Sequence, residues 1–159
     1  MTIPVSTVPA AISALLAQTQ TQVANDSDAG TILLIEGQEG DDRPDDIIII
    51  GTNIHRTVTW EAFIGTADLD ALGEVYEIES MVSCWSGDSD PVAIKVRAWQ
   101  LVGYIETGVR TDPSLGGLVV VAQPAGTSGG GVVWSEAVGS APIGRLCEIT
   151  VTVRVTTLN

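Results

Sequence analysis

His55 is the only histidine in a chain of 159 residues, so any nucleophilic triad would have to be built around it. Such a triad needs a serine or cysteine held by the ring and an acid to orient it, and no G-x-S-x-G turn is present to offer the serine. Cys84 and Cys147 lack the spacing and the companions of a metal site and are too few for a disulfide framework. Two buried thiols are expected.

Glu77 and Glu79 would share one face of a strand about 7 Å apart, a separation that loosely mimics an acid/base pair, although a solvated strand face places carboxylates in the same way. Asp26-Ser27-Asp28-Ala29-Gly30 and Asp88-Ser89-Asp90 have something of calcium-loop spacing, but neither is followed by the closing glutamate, and capping and turn chemistry account for them. Gly126-Thr127-Ser128-Gly129-Gly130-Gly131 has no lysine and precedes a strand, so it reads as a hairpin tip and not as a phosphate cradle. Asn25-Asp26-Ser27 fits a glycosylation acceptor only if the chain is secreted. No catalytic, cofactor-binding or metal-ligating set is expected, and the chain is not expected to be an enzyme.

The elements that would carry these residues follow from periodicity. Val8, Ala11, Ile12, Leu15, Leu16 and Val23 recur at helical spacing behind Ser6 or Thr7 as cap and Pro9 in the first turn. The other face, with Ser13, Gln18, Gln20, Thr21 and Gln22, is uncharged, and Asp26 is the first charge in the chain. That suggests a face meeting another subunit, with Gln18 and Gln22 in the contact. Strands are expected over Thr31–Glu36, Asp46–Ile50 and Thr57–Ile64, and then over Glu74–Cys84, where Tyr76, Ile78, Val82 and Cys84 face the core and Glu77, Glu79, Met81 and Ser83 face water.

A second helix is expected over 91–110, capped by Asp88, Ser89 or Asp90. It carries two apolar stripes, Val92, Val96 and Trp99 on one side and Ile94, Ala98, Leu101, Ile105 and Val109 on another, so burial on more than one side is expected, with Ile94 and Trp99 at a subunit boundary. Strands follow over 118–123 and 132–138. The last runs from Arg145 with Cys147, Ile149, Val151, Val153 and Val155 alternating with polar residues, as a central antiparallel strand does. The fold class is α+β in a single domain, residues 1–159: a mainly antiparallel sheet with both helices on one face. Exposed loops are expected near 37–46 and 124–131.

Composition narrows the partners. Lys plus Arg total 7 against 20 Asp plus Glu, a net charge of −13, which repels phosphate and argues against nucleic-acid binding. Aromatic residues make up 4%, too few for a stacking platform. No segment has the length and apolarity to span a bilayer, and Met1-Thr2-Ile3-Pro4 lacks the basic and apolar run of a secretory signal, so folding in a cytoplasm is expected.

Three stretches, in this order and spacing, carry a family resemblance: Val8-Pro9-Ala10-Ala11-Ile12 opening the first helix, Trp85-Ser86-Gly87-Asp88-Ser89-Asp90 before the second, and Arg110-Thr111-Asp112-Pro113-Ser114-Leu115-Gly116-Gly117 after it, followed by the long final strand. Over nearly its whole length the chain resembles the tail terminator (tail completion, minor tail) proteins of long-tailed phages. The resemblance implies a virion protein that closes into a ring, typically a hexamer, between the last ring of tail-tube protein and the head-tail connector. DNA would pass through the ring without specific binding. Acidic groups lining the channel would fit that passage, with Glu77 and Glu79 or the loop carrying Glu39, Asp41 and Asp42 as candidates. A tail-tube or connector subunit shares these features, and a secreted calcium- or carbohydrate-binding β-domain is the reading from another class.

Overall fold

Pro9 stands where a helix has no partner for its first amides, and the chain from there forms α1, Val8–Val23. The computed structural model describes residues 6–37, 44–60, 72–87, 90–125, 133–140 and 143–158. A single 3-10 turn, Ala29–Thr31, leads into β1, Ile32–Glu36, followed by β2, Asp46–Trp60, and β3, Leu72–Ser86. Then come α2, Pro91–Thr111, the short β4, Val121–Pro124, β5, Val133–Ser140, and β6, Ile143–Leu158. The fold is α+β, as expected. Glu39, Asp41, Asp42 and most of the 124–131 tip lie outside the described residues.

The six strands form one sheet in the order β1-β2-β3-β6-β4, with β5 also on β6. All pairings are antiparallel except β1 with β2. Alternation sends Tyr76, Ile78, Val82 and Cys84 of β3 to the same face as their register partners Val155, Val153, Ile149 and Cys147 of β6, and all eight are buried. α1 and α2 pack on this face, and Ala11, Leu15, Leu101 and Ile105 complete the core. Each fully buried Leu, Ile or Val in such a layer stabilises the fold by about 1.5–3 kcal/mol relative to exposure.

Two strands expected over Asp46–Ile50 and Thr57–Ile64 are one. Gly51 adopts φ +78, and the pairing with β3 slips between Ile49↔Met81 and Asn53↔Glu79, so the turn-forming residues Gly51-Thr52-Asn53 make a bulge within a continuous strand. A Cβ on Gly51 would come 3.1 Å from Ile12 Cγ2, so α1 lies directly against the bulge.

α2 buries one stripe, not two. Ile94, Ala98, Leu101, Val102, Ile105 and Val109 enter the core, while Val92, Val96 and Trp99 remain exposed. The helix starts at Asp90, whose Oδ1 accepts the Val92 amide at 2.9 Å. It ends at Asp112, which accepts the amides of Ser114 and Gly116 and so holds the turn in which Leu115, Gly116 and Gly117 all have positive φ. Leu115 bears that strained geometry while buried in the core.

Candidate assembly surface

The sheet face away from the helices divides in two. Towards β1, Ile47 and Ile49 are only 1% and 2% exposed, with Ser83 also buried and Met81 half-buried, so this part is apolar and covered, contrary to the wet face expected. Towards the other end of β3, Glu77 and Glu79 are half-buried within a polar row. Glu77 stands in register between His55 and Arg154, and Glu79 between Asn53 and Thr152. His55 Nε2 lies 3.2 Å from Glu79 Oε1 and 3.2 Å from Asn53 Nδ2. The polar part of the face is thus carboxylates interleaved with a histidine and an arginine; Glu148 of β6 is on the same face but opposite Ser83, beside the apolar part.

Behind the sheet the two helices pack on each other, tied by polar contacts from Gln18 to Asp112 and from Arg97 and Tyr104 to Asp26. Asp26, just past α1, is nearly inaccessible: its Oδ2 accepts from Tyr104 Oη at 2.6 Å and Arg97 Nη1 at 2.8 Å, and its Oδ1 accepts the Asp28 amide at 2.8 Å. The Tyr104 hydroxyl, the Asp28 amide and Arg97 together hold the Asp26 carboxyl down at about 2. Arg97 also donates through Nε to Asp46 at 2.7 Å, so one guanidinium joins α2, the end of α1 and the start of β2. Asp26-Ser27-Asp28 is therefore turn and bracing chemistry, with the Asp26 carboxylate taken up by Tyr104, Arg97 and the Asp28 amide.

At the other end of α1, Thr7 is the N-cap residue without a capping bond from its own side chain, Ser6 Oγ accepts the Val8 amide at 3.3 Å, and the sheet adds a further hold. Glu74 of β3, wholly buried, accepts the Thr7 amide and the Thr7 hydroxyl, both at 3.1 Å, and pairs with Arg56 of β2. Burial pushes its pKa up; the Thr7 amide, Arg56 and the Thr7 hydroxyl outweigh it, and the carboxyl titrates below its ordinary range.

Of the expected contact residues, Ile94 is a core residue at 3% exposure and cannot reach a neighbour. Gln18 is spent within the chain: its Nε2 donates to the Asp112 carbonyl and carboxylate, and its backbone packs on Gly108. Gln22 is half-buried. Trp99 is 46% exposed, and beside it stand Val96 at 63% and Val92 at 64%. Both cysteines are buried and not disulfide-bonded; burial, then the nearby Asp46, raises the Cys84 thiol far above its ordinary value.

No family model matches the chain, and no curated protein does. Among solved structures, a chain of one described as "Virion of native gene transfer agent (GTA) particle" is similar at a TM-score of 0.38 and 10% identity, over 92% of this chain and 98% of that one. A likeness this distant does not fix a role. Among the described residues no helix is long and apolar enough to cross a membrane, and no three His, Cys, Asp or Glu side chains are grouped to hold a metal ion.

Sequence reasoning missed the Asp26–Arg97–Asp46 brace and the buried Glu74, because residues separated by tens of positions carry no local signal. A glutamate on the core parity of β3 was the available hint.

Proposed function

We propose that this chain is a structural subunit of a phage-type virion that closes with copies of itself into a ring at the head-proximal end of a tail tube. There it ends tube growth and offers its far side to the head-tail connector. The observation that carries this reading is the carboxylate set on the sheet face, where Glu77, Glu79 and Glu148 stand with a single arginine, Arg154, while α1 has no acidic residue within its span and α2 only Glu106. In a ring around DNA, an inward face with excess carboxylate keeps phosphates from adhering, and the low-acid side is free to meet protein.

The role is structural and not catalytic. His55 is engaged with Glu79 and Asn53, and Cys84 is buried with a thiol that resists ionisation. The family resemblance read from the three motif stretches points the same way: two of those stretches cap or end α2, and the third opens α1.

Negative-stain microscopy of the purified chain mixed with tail tubes tests the assignment. Rings alone and density at a single tube end are expected. Co-polymerisation along the tube would make it a tube subunit, and failure to associate with tubes or connectors would overturn the reading. Within an infectious particle, Glu77→Lys together with Glu79→Lys is expected to slow DNA ejection while leaving the far-UV circular dichroism of the subunit unchanged. Ejection at the normal rate would remove this face from the channel.

A further inference from the structure

We propose that the outward stripe of α2, formed by Val92, Val96 and Trp99, is where a second copy of this chain docks. This presupposes self-assembly, as above, and gives it a location. The three residues follow i, i+4, i+7 spacing, so they share the side of α2 opposite Ile94, Leu101 and Ile105. All three are substantially exposed, the valines to about two thirds of their surface. One further turn along the same side lies Gly103, where an added Cβ would meet nothing within 4 Å, leaving a bare notch next to the indole for a partner side chain.

Charge selects the occupant. Two copies at −13 each repel at close range, and they can approach only where acid is scarce. α2 has Lys95, Arg97 and Arg110 of the 7 basic residues and only Glu106 of the 20 acidic ones. Glu106 is itself paired with Arg110 at 3.3 Å. The neighbouring outer side of α1 exposes Ser13, Ala17, Gln20 and Thr21, none of them charged. A basic protein would find its complement on the carboxylates of the sheet, and a nucleic acid would be repelled by the rest of the chain. An apolar stripe on a helix with one acidic residue in its span, beside an uncharged face of α1 and with Asp90 only at its Val92 end, is suited to another copy of the same protein.

This arrangement has an unusual salt signature. Contact through apolar side chains between like-charged bodies strengthens as salt screens the repulsion, whereas contact between complementary charges weakens. Sedimentation velocity of the full chain across a concentration series at low and moderate salt reads the difference. Wild-type association that rises with salt is expected, and Val96→Glu and, separately, Val92→Glu are each expected to raise the concentration for half-association more than about 10-fold. Both sites are exposed, so unchanged circular dichroism accompanies the loss. Variants that associate like the wild type would overturn this location while leaving self-assembly intact. Association that falls with salt would overturn the like-charge contact. A wild-type chain that stays monomeric at every concentration and within particles would overturn self-assembly itself.

Discussion

Single side chains in this protein mostly brace, and Asp26 is the clearest case. Its carboxylate is nearly inaccessible and answers a tyrosine hydroxyl, an amide and a guanidinium, so its charge is stabilised in the fold and not in the unfolded chain. A carboxyl whose folded pKa lies below its unfolded one adds stability that is complete above the unfolded value and fades as pH falls through the folded value. For Asp26 that window runs from about 4 down to about 2. Asp26→Asn, which keeps the shape and loses the charge, is expected to cost about 1.5–3 kcal/mol at neutral pH. In urea titrations the gap to the wild type should narrow as pH is lowered from 4 to 2, because only the wild type has this contribution to lose.

At the scale of elements, the long regular pieces were the legible ones. α1 and β6 matched expectation because their periodicities run unbroken for many residues, and a one-residue error would have exposed every aliphatic side chain in β6. β2 was read as two strands because Gly51-Thr52-Asn53 is turn chemistry in isolation, and only pairing with β3 on both sides of it turns a break into a bulge. β1 gave no sign that its partner would be parallel, since a short apolar run looks alike in either direction. α2 offered two stripes with no local reason to choose. The fold takes the longer, five residues spread over four turns, and leaves the shorter outside. Gly51→Ala tests the bulge: a side chain at φ +78, pressed against Ile12, is expected to cost about 1–2 kcal/mol or more in chemical denaturation. The candidate contact residues were legible only in part, because exposure depends on which stripe wins.

The molecule as a whole is organised around β6, which pairs with β3 along one side and with β4 and β5 in succession along the other. Removing Ile143–Leu158 would leave β4 and β5 without a partner and strip one edge of β3, so the truncated chain is expected to show neither near-ultraviolet circular dichroism nor a cooperative thermal transition, where the intact chain shows both. The buried Glu74 has a consequence for timing. It fastens the start of α1 from a strand 67 residues away, and closing so long a loop has to precede the reward of the contact. Until β3 is in place, the Thr7 amide lacks its carboxylate, and the start of α1 has only the local bond from the Val8 amide to Ser6 Oγ to hold it. The helix can coil early, but its first turn becomes anchored late in folding, after the central strands have met.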